Sequence, residues 1–422
     1  TQEYLSAGYT LEHRFSDSWK LRNRVVYTDT SNEQTLTAAP FFFTDPVAGD
    51  LARLFTGRDE SATNYSLYTN VQGKFETGPI QHTLLLGIDV ARTEDTDNGF
   101  FDAGNPSIIN IFNPDYAAAA PPSASPASYG ADSTTDQLGI YVQDQIDILD
   151  NLILVAGLRY DTVDTDTVTS PGFFGPGGET SQTDEAFTPR VGVVYQPIEP
   201  ISLYANYARS FTPSSATNAE GNPLSPEKGD GFDVGIRAEI VENRLSATLA
   251  YFDITKRNVA TADPNSLIGS IATGEQRSRG VDFNLTGEIL PGWNIVASYA
   301  YIDAEVTEDN NIPVGNRLNN TPENSASLWT TYEVQSGDLQ GLGFGLGFNF
   351  VGERQDLLDR FDADSYFVTN AALFYRRDDW QMQLNIDNLF DVDYEEFVFS
   401  GAATNFGLGD PTTVRASVSY TF

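Results

Sequence analysis

The side chains that enzymes use most often for nucleophilic and acid–base chemistry are nearly absent from this sequence. Its 422 residues include no cysteine and only two histidines, His13 and His82. The lack of cysteine excludes thiol nucleophiles, disulfides and cysteine-ligated metal sites. Neither histidine stands near a candidate serine, so the sequence does not indicate a histidine-dependent catalytic triad. We therefore expect a protein that is not an enzyme, with no catalytic residues, no cofactor and no metal site of its own.

Asp and Glu are the other residues whose side chains could bind metals or act as acids and bases, and they are abundant. The chain has 59 Asp plus Glu against 24 Lys plus Arg, a formal net charge of −35. That charge repels a phosphate backbone and argues against a nucleic-acid partner. Acidic stretches at residues 93–97, 161–166 and 356–364 offer the oxygen ligands that divalent cations prefer, but none has the pattern of a calcium loop. A solvated acidic surface is therefore favoured over cation binding.

The elements that must position these residues follow a period of two along almost the whole chain. In the segment 380–387, Trp380, Met382, Leu384 and Ile386 alternate with polar residues, a pattern typical of a strand with one apolar face. About seventeen such strands are predicted, at residues 4–15, 19–29, 62–76, 80–94, 135–148, 151–162, 186–197, 201–212, 230–241, 244–258, 276–290, 293–307, 324–335, 342–354, 366–377, 380–399 and 412–422.

Short and long connections alternate between these strands. Turns such as residues 16–18 and 77–79 are very short, whereas segments such as 95–134 are long. No apolar run is long enough for a transmembrane helix, and short turns on one side with long loops on the other are how outer-membrane barrels are built. The predicted fold class is all-β, a transmembrane antiparallel β-barrel. A soluble β-sandwich array or solenoid is the alternative.

The strand count is odd, which is unexpected for such a barrel. An antiparallel barrel that closes with its first strand beside its last needs an even number of strands. Here the chain starts on the long-loop side and ends on the short-turn side, and its only methionine is Met382. We therefore expect a processed or truncated product that is incomplete at its N-terminus.

A series of motifs resembles the TonB-dependent siderophore receptors, and most closely the ferrichrome-type hydroxamate receptors. In chain order the motifs are LGIYVQDQIDIL at 138–149, NLILVAGLRYD at 151–161, FTPRVGVVY at 187–195, LYANYARSF at 203–211, LSPEKG at 224–229, GEQRSRGV at 274–281, NLFDVDY at 388–394 and a C-terminal Phe422. Receptors of this kind are barrels of about 22 strands with an N-terminal plug. The resemblance implies that residues 1–422 form a single, N-terminally incomplete barrel domain of about 17 strands, without the plug and the first strands.

The resemblance also implies a function in transport. It implies a receptor in the outer membrane of a Gram-negative-type bacterium that binds a ferric siderophore at its extracellular mouth and imports it with energy transmitted by TonB. The implied partners are the siderophore, the TonB-ExbB-ExbD complex acting through the missing N-terminal part, outer-membrane lipid and lipopolysaccharide, and the barrel assembly machinery; a monomer is expected. Two alternatives stay open: a passive porin-like channel, and TonB-dependent uptake of another bulky ligand such as cobalamin or a carbohydrate.

Candidate site residues follow from the ligand's chemistry and from the family motifs. A ferric siderophore arrives with its iron already coordinated, so the receptor needs a concave aromatic mouth rather than metal ligands. The ligand-binding candidates are Phe100, Phe101, Phe112, Tyr116, Phe399 and Phe406. The motif residues are Asn388, Leu389, Phe390, Asp391 and Tyr394, which we expect to continue a strand or to cap a bend. Phe422 is the implied assembly signal.

Arginines on the strands are expected to line the inner wall of the barrel. The resemblance places the polar plug against that wall, and acidic neighbours of the arginines favour a network of salt bridges over contacts with the transported ligand. The arginines concerned are Arg159, Arg190, Arg237, Arg279 and Arg415.

Reading the DNA upstream of the codon for Thr1 tests the expected truncation. We expect an open frame that encodes about five further strands, since receptors of this kind have about 22, preceded by a plug, a TonB-box and a signal peptide. A stop codon or an unrelated frame would contradict this expectation and favour the passive channel.

Overall fold

The structure is a computed structural model that describes residues 1–45, 47–115, 127–172, 176–266, 269–400 and 404–421. Within these ranges, side chains are not described at residues 35–44, 103–106, 399–400 and 404–406. The described residues form strands, turns and irregular connections, with no helix among them. A helix of the length and apolarity needed to cross a membrane is accordingly not found in the described ranges.

Seventeen strands are hydrogen-bonded in one sheet, and two short hairpins stand outside it. The sheet strands are β1 (Gln2–Arg14), β2 (Trp19–Asp45), β3 (Asp50–Thr77), β4 (Ile80–Asn110), β5 (Ala127–Leu149), β6 (Leu152–Thr169), β7 (Gly178–Ile198), β8 (Ile201–Thr212), β9 (Glu227–Val241), β10 (Leu245–Ala262), β11 (Ser270–Leu290), β12 (Trp293–Glu308), β13 (Asn324–Glu333), β14 (Leu342–Val351), β17 (Tyr366–Arg377), β18 (Trp380–Asp387) and β21 (Thr413–Tyr420). The hairpins are β15 (Arg354–Gln355) with β16 (Asp362–Ala363) and β19 (Glu395–Ser400) with β20 (Thr404–Leu408).

Each predicted strand corresponds to one strand of this sheet, so the all-β fold class is confirmed. The main difference is length at the long-connection ends. Strand β3 begins at Asp50 rather than at residue 62, and β4 ends at Asn110 rather than at residue 94. In these extensions the alternation of apolar and polar residues fades, but backbone pairing continues, as between Thr35 and Gly57. Backbone groups must be paired whatever the side chains are, so pattern alone underestimates strand length.

By proximity the chain divides into two compact units. The first unit consists of residues 1–77, 82–144 and 157–187, and the second of residues 78–81, 145–156 and 188–422. The expectation of a single domain over residues 1–422 stays a prediction.

In the second unit, the strand register separates an apolar face from a polar face. Leu384 on β18 lies opposite Leu373 on β17 and Ala416 on β21. The residues between them in sequence, such as Gln383 and Arg415, lie on the other face, because successive side chains of a strand alternate. At the short-turn end of the apolar face, the rings of Trp380 and Tyr420 are 4.9 Å apart, which fits an aromatic girdle at a membrane interface. We call these surfaces the apolar face and the polar face.

The first unit has the same two faces. Tyr27 and Val25 lie opposite Tyr65 and Leu67, with the two tyrosine rings 5.2 Å apart. Exposed apolar residues at even positions of β4, such as Ile88, alternate with polar ones on the other face.

One wall arginine lies on the face opposite to the expected one. Arg279 lies opposite Asp303 and two residues from Val281, which itself lies opposite Tyr301. Arg279 therefore shares the apolar face of β11 and lies beyond its apolar residues, where it donates to Asp303 at 2.9 and 2.8 Å. The prediction that Arg279 lines the inner wall was wrong. Outside the apolar layer, charged residues occur on both faces of a strand, so a charged side chain no longer marks the polar face. For Arg415 the register agrees with the prediction.

Substitution of one residue on each face of β18 tests this assignment. Leu384→Arg places a charge on the apolar face, where 36% of Leu384 is exposed, and we expect a loss of about 2 to 4 kcal/mol in the free energy of unfolding from lipid vesicles. Gln383→Arg, its neighbour on the polar face, is the matched control and should cost far less. Urea titrations measure both, and equal losses would contradict the assignment of the faces.

Candidate functional site

The motif at residues 388–394 forms a turn and does not continue a strand. Strand β18 ends at Asp387, and Asn388 and Asp391 have φ angles of 51° and 53°. This left-handed conformation is tolerated by Asn and Asp better than by most other residues. Of the two expectations for the motif, the strand continuation over 388–394 was therefore wrong, and the structure shows the bend.

Asn388 is the centre of this turn. It is 3% exposed, and its side-chain amide donates to the carbonyl of Val392 at 2.9 Å and to that of Asp410 at 3.1 Å. Its Oδ1 accepts from the Val392 amide at 2.8 Å. A buried amide side chain that uses its donors and its acceptor in this way fixes the local backbone. The turn is thereby tied to the segment that leads into β21.

The other motif residues reinforce the same connection. Asp391 accepts from the Thr412 amide at 2.9 Å, and the Thr412 hydroxyl donates to the Asn388 carbonyl at 2.7 Å. The Leu389 amide donates to the Thr369 carbonyl of β17 at 2.7 Å, whereas Phe390 is largely exposed. The motif therefore has a structural role: it ties the last long connection, which runs from β18 to β21, to β17 and to the segment just before β21.

Tyr394 lines a pocket of about 480 Å³ next to this turn. Its ring centroid is 4.4 Å from that of Tyr366, and the pocket also contains Asp387, Glu396 and Arg415. Burial, and then the nearby carboxylate of Glu396, raise the pKa of Tyr394 above its ordinary value. Its hydroxyl is therefore protonated at neutral pH and is available as a hydrogen-bond donor.

Arg354 is a site residue that the sequence did not indicate. It is 1% exposed, and its guanidinium donates to the carbonyls of Glu396 and Glu395, both at 2.7 Å. The guanidinium carbon also lies 5.2 Å from the centroid of the Tyr366 ring. An isolated arginine after a strand is usually exposed, so no sequence signal identifies it. Arg354 fixes the start of the β19–β20 hairpin.

A second connection holds the same hairpin. The Asn319 side chain donates to the Val398 carbonyl at 3.2 Å, and Asn320 Oδ1 accepts from the Val398 amide at 3.1 Å. Val398 is 1% exposed. Three long connections, those after β12, β14 and β18, are thus joined by polar side chains at one end of the sheet.

The predicted ligand residues Phe399 and Phe406 belong to this hairpin. In its register, Phe399 lies opposite Asn405 and Val398 lies opposite Phe406. Their side chains are outside the described set, as are Tyr116 and Phe422 altogether. A role of these four residues in binding or assembly stays a prediction.

Phe100 and Phe101 lie on opposite faces of β4, because they are adjacent residues of one strand. The Phe100 ring covers Gly57, where a Cβ atom would collide with it. Gly57 lies in unbroken register with Tyr65 and Leu67, at positions separated by even numbers, so Phe100 is on the side of the apolar face. Phe101 is therefore on the side of the polar face.

Phe100 lines a shallow groove of about 550 Å³. Glu33 and Asp59 lie opposite each other in its wall, and Asn98 completes the same side. Phe112 lies elsewhere: it is 74% exposed and packs against Gly49. Among the predicted aromatic residues with described side chains, Phe100 and Phe112 thus occupy separate places on the protein.

The acidic stretches are engaged by arginines. Arg58 donates twice to Asp97 at 3.0 Å, which raises the pKa of the guanidinium. Arg360 donates to Asp356 at 2.9 Å, and the Arg360 amide donates to the same carboxylate at 2.6 Å. Over the described residues, no group of three or more His, Asp or Glu side chains is arranged to hold a metal ion.

Comparison with known proteins identifies the family of this chain. Residues 1–389 match the family described as TonB dependent receptor-like, beta-barrel. The metal-pseudopaline receptor CntO of Pseudomonas aeruginosa is 32% identical over 98% of this chain and 58% of its own length. The ferrichrome outer membrane transporter/phage receptor of Escherichia coli K12 is 31% identical over 93% of this chain and 55% of its own length. The chain thus spans little more than half the length of these relatives, which are receptors and transporters rather than enzymes.

Solved structures agree on the fold. The siderophore receptor PiuA from Acinetobacter baumannii superposes with a TM-score of 0.85 and 22% identity, covering 99% of this chain and 64% of that one. The pyoverdine outer membrane receptor FpvA from Pseudomonas aeruginosa PAO1, bound to pyoverdine, gives a TM-score of 0.82 and 22% identity, covering 100% and 62%. At this identity the likeness concerns the fold alone.

Replacement of the buried arginine tests its role in ordering the hairpin. Arg354→Lys keeps the charge but loses the planar fork that reaches two carbonyls, and we expect the hairpin to lose about 2 to 3 kcal/mol of local stability. Hydrogen exchange of the amides at residues 395–398 measures this as faster exchange.

Arg376→Lys is the matched control for that variant. Arg376 donates to Glu333 at 2.7 Å in a partly exposed pair, so the loss there should stay below about 1 kcal/mol. Unchanged protection of residues 395–398 in Arg354→Lys would show that the buried arginine does not hold the hairpin.

Proposed function

Because this chain belongs to the TonB-dependent receptor family as a β-barrel, we propose that it forms the barrel of a receptor that imports a ferric siderophore. The observation that carries the proposal is the family match over residues 1–389, supported by relatives named for ferrichrome and for a metal–pseudopaline complex. The location is the outer membrane of a Gram-negative bacterium, as for the ferrichrome transporter.

The two faces of the sheet have distinct roles in this proposal. The apolar face contacts lipid, because alternating strands expose one apolar band to the bilayer. The polar face surrounds the plug and the path of the ligand. The long connections, joined through Arg354, Asn319 and Asn388, form part of a firm rim at the extracellular mouth. A firm rim lowers the entropy that is lost when a ligand binds.

In this proposal the receptor recognises the intact complex of the siderophore with its iron. Its iron is already coordinated, so the rim supplies aromatic surface and hydrogen-bond donors rather than metal ligands. Phe101, Phe112, Tyr116, Phe399 and Phe406 are the proposed aromatic contacts. The chelate and the TonB-ExbB-ExbD complex act on opposite sides of the plug, and binding biases the plug toward the arrangement that TonB engages.

Further partners belong to the same proposal. Outer-membrane lipid and lipopolysaccharide surround the apolar face, and the barrel assembly machinery recognises the C-terminal Phe422. The receptor acts as a monomer. Because the iron belongs to the ligand, the protein needs no cofactor.

Uptake and conductance together test the proposed function. In a strain that lacks other siderophore receptors, the complete receptor should take up labelled ferric siderophore, and deletion of TonB should abolish uptake. In planar bilayers the plugged receptor should be almost silent. High conductance with TonB-independent uptake would instead indicate a porin-like channel, and uptake of cobalamin or a carbohydrate in place of siderophore would indicate another cargo.

The adjacent phenylalanines of β4 provide a paired test of the mouth. Phe101→Ala should weaken siderophore binding tenfold or more, a loss of about 1.4 kcal/mol, because it removes aromatic surface from the side of the polar face. Phe100→Ala, on the opposite side, is the control and should leave the affinity within about twofold. Equilibrium binding to the purified receptor measures both. A larger effect of Phe100→Ala would move the site to the groove beside Gly57.

A further inference from the structure

We propose that five basic residues on the polar face of β1, β2 and β3 form a docking surface for an acidic face of the plug. The inference rests on the proposed function, in which the polar face surrounds the plug, and it assigns a place and a chemistry to that contact. All five residues are exposed and belong to the first unit. We call them the basic strip: Arg14, Lys20, Arg22, Arg24 and Lys74.

Alternation along β2 places three residues of the basic strip on the polar face. Lys20, Arg22 and Arg24 stand at even positions, whereas Val25 and Tyr27 of the apolar face stand at odd positions. Successive residues on one face of a strand are about 6.6 Å apart. The three cations therefore follow one another over about 13 Å of the strand.

The neighbouring strands add two more cations near the short turns. Lys20 lies directly opposite Arg14 of β1 and Gln72 of β3, and Lys74 follows Gln72 on the same face. Together with the turn at residues 16–18, these side chains line a cavity of about 310 Å³. Like charges directly opposite each other destabilise a sheet. The juxtaposition of Arg14 and Lys20 is therefore unfavourable unless an anion lies against it.

Carboxylates of the described chain do not neutralise the basic strip. One ion pair is found for it among the described residues, between Arg22 and Glu12 at 3.5 Å, with both side chains more than half exposed, and exposed pairs are weak. The other four residues of the strip have no ion pair in that part of the chain. The segments 10–24 and 68–76 contain five basic residues against three acidic ones, although the whole chain has a net charge of −35.

Other arginines of the first unit are paired with carboxylates. Arg159, which is also on the polar face, contacts Asp89 at 2.5 Å and Asp161 at 2.8 Å. Arg92 contacts Asp136 at 2.8 Å. The cations of the basic strip thus differ from these in lacking such partners and in being grouped together. A group of unpaired cations in an acidic protein indicates a surface that attracts an anionic partner.

The position of the basic strip favours the plug over the transported ligand as that partner. The strip lies toward the short turns, at the other end of the strands from the long connections that form the mouth in the proposed function. It extends over three strands, about 10 Å across, so several carboxylates of a folded surface can face it at once. A lasting contact of this kind offsets the repulsion within the strip, whereas a ligand in passage does not.

Zero-length cross-linking of the complete receptor tests the contact directly. A carbodiimide joins a lysine amine to a carboxylate only where the two touch, and mass spectrometry of the peptides identifies the joined residues. We expect Lys20 and Lys74 to be joined to Asp or Glu residues of the plug. The internal control is Lys256, which contacts Glu227 at 2.6 Å and should be joined to it. Lys20 and Lys74 joined only to residues of 1–422, or not joined at all while Lys256 is, would overturn the inference.

Removal of charge from the basic strip tests its effect on the plug. Lys20→Gln with Arg24→Gln should loosen the docked plug and raise the conductance of the complete receptor in planar bilayers at least tenfold. The matched control, Arg190→Gln with Arg237→Gln, removes the same charge from the polar face of the second unit, where each arginine lies opposite uncharged residues. It should leave the conductance within twofold. No rise in the strip variant, or an equal rise in both variants, would contradict the inference.

The outcomes separate this inference from the proposed function. Uptake of siderophore that depends on TonB, in a receptor without these cross-links, would remove the inference and leave the function standing. Slower uptake by the strip variant with unchanged conductance would assign the strip to the path of the ligand instead of the plug. If the strip variant does not fold, the cross-links of the unaltered receptor decide alone. A complete receptor without a plug would remove both proposals.

Discussion

Backbone hydrogen bonding without help from water is the constraint on which this structure depends. A strand inside a bilayer has no solvent to satisfy its N–H and C=O groups, so each must pair with a neighbouring strand. The antiparallel registers from β7 to β14 and on through β17, β18 and β21 meet this requirement. Pairing fixes which residues lie opposite each other, and the alternation of side chains then separates an apolar face from a polar face.

Backbone pairing continues beyond the apolar layer, where no apolar face has to be formed. The extensions of β2 and β3 remain paired as far as Asp45 and Asp50 although their side chains no longer alternate. At the opposite end of the chain, irregular connections replace strands, and buried polar side chains take over the role of the ladder. Asn388 and Arg354 satisfy backbone groups that have no strand partner, because a buried polar group without a partner is costly.

The two faces of the sheet explain where many of the charged side chains lie. A guanidinium on the polar face is stabilised by carboxylates of the same face, as with Arg159, which contacts Asp161 on its own strand β6 and Asp89 on β4. The excess of carboxylates that gives a net charge of −35 lies largely beyond these pairs. Ion pairs of this kind connect side chains across the polar face, while the surplus carboxylates give the chain a negative electrostatic field.

The sequence by itself determined the all-β class, the number of sheet strands, the family and the near-absence of catalytic side chains, because these depend on alternation, motif order and composition. It did not determine where strands end outside the apolar layer, since backbone pairing there leaves no side-chain pattern. It also left Phe100 and Phe101 as one candidate pair, although the register of β3 and the ring of Phe100 over Gly57 put them on opposite faces. Arg354 and the bend at Asn388 were decided only by tertiary structure, because their partners at Glu395, Glu396 and Asp410 are carbonyls, which every residue has and no sequence pattern marks.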